Sequence, residues 1–255
     1  MARINKKDFI EIEYQGKTKD NGTIFDTTDE KTAKEQEIFN PNMNYGPVII
    51  CVGESHVIEG LDKFFIDKEP GEFDVEIKPE KGFGKKNPKL IRLMPTSIFT
   101  KQKITPMPGL QVTLNEAVGT IRSASGGRTL VDFNHPLSGK ELNYHLKITR
   151  ILEKDDEKLE SLMKLQFGSK NLEVELKEGK ATVTVQIEVP EEQKEILTKK
   201  TKELIPGIKD IEFKRKDFKK ERKENKENQK KKDKEENKEK EGIKDKKAEK
   251  SEVLI

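Results

Sequence analysis

The chain has 255 residues, of which 31% are hydrophobic and 39% charged, so part of it lacks the apolar surface for a core while the rest suffices for two or three small domains. Its 51 Lys and Arg against 48 Asp and Glu leave a formal charge of +3, which excludes the basic footprint of a nucleic-acid protein over the whole chain. The single cysteine, Cys51, excludes an intrachain disulfide framework and reads as a small core residue in Val48-Ile49-Ile50-Cys51-Val52.

Ile10, Ile12 and Tyr14 alternate with Glu11 and Glu13, the period of a half-buried strand, and Asp20-Asn21-Gly22 turns the chain into Thr23-Ile24-Phe25-Asp26. From Thr27 to Gly46 the residues are polar and broken by Asn40-Pro41-Asn42 and Gly46-Pro47, which predicts a long loop before a strand at Val48 to Val52. Val57, Ile58, Leu61, Phe64 and Phe65 form one apolar stripe of a short helix ended by Pro70-Gly71. Phe73, Val75 and Ile77 alternate again, then comes Gly82-Phe83-Gly84. A last long strand is expected from Glu141 to Leu152, with Leu142, Tyr144, Leu146 and Ile148 on one face.

Residues 87–134 carry separate signals: Ile98-Phe99, then Pro106-Met107-Pro108-Gly109, then short β-like runs at Gln111 to Leu114, Gly119 to Ile121 and Thr129 to Phe133, split by Ser125-Gly126-Gly127. Because the sheet pattern resumes afterwards, this small β-rich module reads as an insertion into the first domain, which would then comprise 1–86 and 135–152. Met94, Ile98, Phe99, Ile104, Met107, Leu110 and Val112 allow two readings, a small core or a groove for unfolded chains.

Residues 153–213 read as an αββαβ unit, with helical spacing from Asp155 to Gln166, alternation about Glu178-Gly179-Lys180, and a second helix opened by Pro190. From 214 to 255 Lys and Glu dominate, predicting a disordered charged tail. Its Lys230-Lys231-Lys232 and Lys246-Lys247 runs read as a solvated extension, or as a weak, salt-sensitive contact to ribosomal RNA. The start lacks the apolar core of a signal peptide and no run reaches membrane-spanning length, so a cytoplasmic protein with no membrane partner is expected.

Tyr14, Phe25-Asp26, Val57-Ile58 with Gly60-Leu61, and Gly82-Phe83-Gly84 together resemble the FKBP-type peptidyl-prolyl cis/trans isomerases. Val131-Asp132-Phe133-Asn134-His135-Pro136-Leu137-Ser138-Gly139 resembles the SlyD-like branch, in which an insert-in-flap chaperone domain interrupts the isomerase, and the αββαβ unit resembles the C-terminal domain of long archaeal forms. The resemblance implies an α+β fold with an FKBP-like antiparallel sheet wrapped on one short helix.

It also implies a proline pocket of Tyr14, Phe25, Asp26, Phe83 and Tyr144 as catalytic residues, with Val57, Ile58, Leu61 and Leu137 binding substrate and the Ile58 N–H reaching a substrate carbonyl. Ile98, Phe99 and Leu110 would line a chaperone groove. Phe83 stands where a tyrosine usually offers its hydroxyl to the substrate, and Leu61 where tryptophan is common. The implied partners are unfolded or nascent polypeptides, and a homodimer through 153–213 is expected by analogy.

An X-Pro bond turns over a barrier of roughly 20 kcal/mol because amide resonance is lost on twisting. The planar amide is more dipolar than the twisted one, so an apolar pocket raises the ground state more than the transition state. No bond breaks, and no cofactor is expected. His56, His135 and His145 are too scattered for a metal site and read as turn or strand-surface residues. The expected function is a prolyl isomerase with chaperone activity; the alternative is a holdase on an isomerase scaffold with weak or lost activity.

Overall fold

The computed structural model describes residues 2–114, 116–168 and 172–216. The expected tail beyond residue 216, with its lysine runs, lies outside the described residues. Two compact units divide between Glu153 and Lys154.

In the first unit β1 (Phe9–Thr18) turns into β2 (Ile24–Thr27), followed by α1 (Glu30–Glu35), β3 (Val48–Cys51), α2 (Glu59–Phe64) and β4 (Gly71–Ile77). The chain then runs through β5 (Ile91–Pro95), α3 (Ser97–Lys101), β6 (Gln111–Leu114), β7 (Ala117–Ser125) and β8 (Arg128–Asp132) before β9 (Leu142–Ile151). A five-stranded antiparallel sheet runs β2-β1-β9-β4, with β3 continuing the β2 side of β1. Its inner face carries Ile10, Ile12, Ile77, Leu142, Tyr144, Leu146 and Ile148, packed against Leu61 and Phe65 of the α2 segment. The alternation read in β1 and β9 is thus the core face of one sheet closing on one helix.

The stretch expected to be only loop contains α1. Asp29 caps it, its carboxylate accepting the Thr32 N–H at 2.7 Å, and Ala33 is its one buried residue. With one inward position the helix has no apolar stripe to betray it.

The insert is a four-stranded sheet of order β5-β8-β7-β6. Gly126 and Gly127, at φ 56° and 72°, supply the two left-handed positions that a two-residue turn between β7 and β8 demands. Phe99, Val112, Leu114, Ile121 and Val131 form its own core, with Met94, Ile98 and Ile104 packed around them. This corrects the groove expectation at Phe99, which is fully buried, whereas Leu110 and Met107 are exposed. One large ring in so small a module is needed to make any core at all.

A buried carboxylate ties the insert to the rest of the unit. Asp132 Oδ2 accepts Arg122 Nη2 at 2.7 Å and Nε at 3.1 Å, with Lys86 Nζ at 3.5 Å, while Oδ1 accepts the Asn134 N–H at 2.9 Å and Nδ2 at 2.7 Å. Asn134 in turn accepts the Asn87 N–H at 2.8 Å and donates to the Asn87 carbonyl at 3.1 Å. Burial alone would raise the Asp132 carboxyl, but these donors and the Lys86 charge hold it well below the usual carboxylate range.

The second unit contains α4 (Asp155–Phe167), β10 (Leu172–Lys177), β11 (Lys180–Val185), α5 (Glu191–Leu204) and β12 (Asp210–Arg215), the αββαβ order expected. β10 and β11 are antiparallel, and α5 carries the chain across to β12, parallel to β11. β12 extends through Lys214 and Arg215, residues assigned by sequence to the tail, because pairing with Thr184 and Val185 needs only backbone and leaves charged side chains in solvent. Among the described residues no helix is long and apolar enough to cross a membrane.

Candidate active site

The first unit's sheet and α2 enclose a cavity of about 340 Å³ lined by Tyr14, Asp26, His56, Val57, Ile58, Leu61, Phe83 and Tyr144. Five separate stretches supply these residues: Tyr14 from β1, Asp26 from β2, His56 to Leu61 at the start of α2, Phe83 before the insert and Tyr144 from β9 after it. Seven of the nine pocket residues named from sequence therefore share one wall. Phe25 is not among the lining residues; it stands against two that are, edge-on to Tyr144 at 5.7 Å and to Phe83 at 6.3 Å. Leu137 is half-buried in the return segment and does not line the cavity.

Gly16 is what allows the rings to meet. A Cβ there would lie 2.8 Å from both Phe25 Cζ and Tyr144 Cε1, so a side chain on β1 would occupy the space those rings use.

The α2 entry is held by a second buried carboxylate, Asp62, which accepts the Gly53 N–H at 2.7 Å and the Ser55 N–H at 3.2 Å. That turn delivers Ile58 as N-cap, at φ −60° and ψ 148°, its carbonyl already receiving Leu61 and Asp62. The Ile58 N–H has no hydrogen-bond partner among the described residues, as a helix start leaves it.

Two of the histidines serve turns, as expected, and these turns also adjoin the cavity: His135 is exposed and its Nδ1 accepts the Leu137 N–H at 3.2 Å. His56 lines the cavity, and its Nδ1 accepts the Cys51 N–H at 3.1 Å, which makes Nδ1 the unprotonated nitrogen of the neutral ring. His135 stacks face to face on Phe83, centroids 4.5 Å apart and planes 3° from parallel. Its neighbour Ser138 donates to the Phe83 carbonyl at 3.0 Å, and Gly139 to the Gly84 carbonyl at 2.8 Å. The sequence signals were the position of His56 just before Val57-Ile58 and the Asn134–Gly139 motif, but stacking across an intervening domain has no local pattern. His145 behaves as expected, on the sheet surface beside Asp74 at 3.0 Å.

The polar corner of the cavity is Tyr14, Asp26 and Tyr144. The Tyr14 hydroxyl donates to Asp26 Oδ2 at 3.0 Å. Burial raises the Asp26 carboxyl, opposed by the Tyr14 hydroxyl and the Thr27 N–H. Burial and then the nearby Asp26 charge push both phenols far up, so Tyr14 and Tyr144 remain protonated donors throughout the neutral range. Among the described residues no group of three His, Cys, Asp or Glu could hold a metal ion.

A family model for the FKBP-type peptidyl-prolyl cis-trans isomerase matches residues 1–100. A short-type peptidyl-prolyl cis-trans isomerase from Methanocaldococcus jannaschii is 32% identical over 155 residues, covering 60% of this chain and 98% of that relative. The chain belongs to the FKBP-type peptidyl-prolyl cis-trans isomerase family. A second model, described as the FKBP26 IF domain, matches residues 92–137 of this FKBP-type chain. The FKBP-type isomerase SlyD of Haemophilus influenzae is 25% identical over 157 residues, 59% of this chain and 74% of its own length. A probable FKBP-type 16 kDa isomerase of Pseudomonas fluorescens is 29% identical over 108 residues, 40% of this chain and 71% of its own.

Proposed function

We infer that this FKBP-type chain accelerates cis/trans isomerisation of X-Pro bonds in unfolded or newly made polypeptides of the cytoplasm. The observation that carries the reading is the cavity itself: aromatic and aliphatic walls, one carboxylate, and an unpaired helix-start N–H at Ile58. Val57, Ile58, Leu61 and Phe83 receive the proline ring and desolvate its amide. Desolvation disfavours the dipolar planar amide more than the twisted one, and a positioned N–H takes up the stripped carbonyl. Asp26 orients the Tyr14 hydroxyl and faces the amide without attacking it. The reaction exchanges no atom, so it calls for no nucleophile.

The insert serves as the capture surface. Leu93, Met107, Leu110 and Val118 are exposed on it, apolar side chains within reach of an extended chain. A chain held there has its prolines at raised local concentration near the cavity.

A proline-limited peptide isomerisation assay tests the enzyme reading, with wild type beside Tyr14→Ala and Phe25→Ala. Acceleration that disappears with the pocket is expected. A wild type that accelerates nothing at any concentration yet suppresses aggregation would establish the holdase instead.

A further inference from the structure

Tyr144 is 4% exposed and lines the prolyl cavity, yet its hydroxyl makes no hydrogen bond among the described residues. A buried polar group without a partner is uncommon, because its desolvation is uncompensated. The oxygen is not sealed in: among the described residues the side-chain polar atom closed off from solvent without a partner is Asn143 Oδ1. The Tyr144 hydroxyl therefore still meets open space, and the space beside this residue is the cavity. The ring is fixed by three neighbours, with Phe25 edge-on at 5.7 Å, Tyr14 tilted at 6.2 Å, and Gly16 beneath it leaving no room for a side chain.

The other phenol of the cavity is committed, and the residue facing it across the pocket carries no donor. Tyr14 donates to Asp26, His56 turns its acceptor Nδ1 to the Cys51 N–H, and Phe83 has no polar atom to offer. An X-Pro segment entering this space brings carbonyl oxygens stripped of water, and each needs a donor. The Ile58 N–H serves one. We propose that the Tyr144 hydroxyl serves a second, donating to a substrate carbonyl and so acting as a catalytic-site donor in a pocket whose Phe83 lacks a hydroxyl. This rests on the prolyl-isomerase reading above. The phenol holds its proton through the neutral range, so the donor is present at any working pH.

Tyr144→Phe in the full chain keeps the ring and removes the donor. For a proline tetrapeptide the expected result is a KM about five-fold higher with kcat changed less than two-fold, the signature of a lost uniform binding contact. The melting temperature should hold, because the hydroxyl has no protein hydrogen bond to lose. Phe83→Tyr, tested in both backgrounds, should gain little in wild type and several-fold in Tyr144→Phe, since the two hydroxyls compete for one role. Additive effects overturn the assignment, as does a Tyr144→Phe enzyme equal to wild type. Should the variant fold poorly, the Tyr144 13Cζ resonance of the wild-type chain is followed during tetrapeptide titration. It should shift while that of Tyr45 stays, and a stationary Tyr144 signal overturns the proposal. A wild-type chain without isomerase activity defeats the functional reading itself, whereas an active wild type matched by Tyr144→Phe defeats only the hydroxyl's role.

Discussion

The Tyr14 hydroxyl donates to Asp26 Oδ2 across 3.0 Å, joining β1 to β2 inside the cavity of the candidate site. Burial makes this carboxylate reluctant to ionise, and the hydroxyl offsets only part of that cost. A folded-state pKa raised above the unfolded one means that Asp26's contribution to stability is complete below the unfolded value, near 3.8, and is lost as pH rises through the folded value. Asp26→Asn should therefore be more stable than wild type at pH 7. The gap should close as pH falls and be gone by about pH 3, where both side chains are neutral. Urea midpoints of both proteins between those limits check this; a gap that widens in acid would reverse the sign.

Gly16→Ala should disturb the site without touching substrate. Its Cβ meets Phe25 and Tyr144 at 2.8 Å, and a packed ring pair cannot yield without leaving its rotamer. The expected cost is about 1–3 kcal/mol of stability, with a fall in peptide isomerisation of roughly ten-fold or more. Chemical denaturation and the tetrapeptide assay measure the two effects separately.

Asp132 should lock the insert junction well into acid. A depressed folded-state pKa gives stability that is present above the unfolded value and is lost only as pH drops through the folded one, so the lock should survive at pH 4. Asp132→Ala strands the Arg122 and Asn134 donors and should cost about 1–3 kcal/mol at pH 7. Amide exchange of residues 87 and 134 reports the opening, and equal protection in both proteins would show the carboxylate to be dispensable.

Phe99 and Leu110 should separate core from capture surface. Phe99 is fully buried, and Phe99→Ala should unfold or loosen the insert at a cost of about 3–5 kcal/mol. Exposed Leu110→Ser, combined with Met107→Ser, should change stability by only about 0.5 kcal/mol per site. The pair should slow catalysed refolding of a proline-limited protein while leaving tetrapeptide turnover intact. Equal losses on both substrates would dismiss the insert as a capture surface.

Much of the candidate site was legible because the motifs that carry the family resemblance are short and local. Phe25-Asp26 and Val57-Ile58 lie at a strand end and a helix start, features with short-range patterns, and β1 and β9 announce their buried faces by alternation. The misses share the opposite property. His135 meets Phe83 only because the chain leaves at 84, builds a domain and returns, and Asp62 reads as an ordinary helix carboxylate until Gly53 and Ser55 fold over it. β5 escaped notice because Pro95 closes it and only its pairing with β8 makes it a strand.

The sequence by itself determined the α+β class and the interruption of one sheet pattern by another, since periodicity and turn chemistry act over a few residues, while the set of pocket residues came from the family resemblance of its motifs. Only the tertiary structure decided which groups meet: that Phe99 is core, that Phe25 supports the wall, and that Tyr144 brings an unpaired hydroxyl to the cavity. Partnering depends on contacts between residues far apart in the chain, and no local pattern specifies which donor will be left without an acceptor.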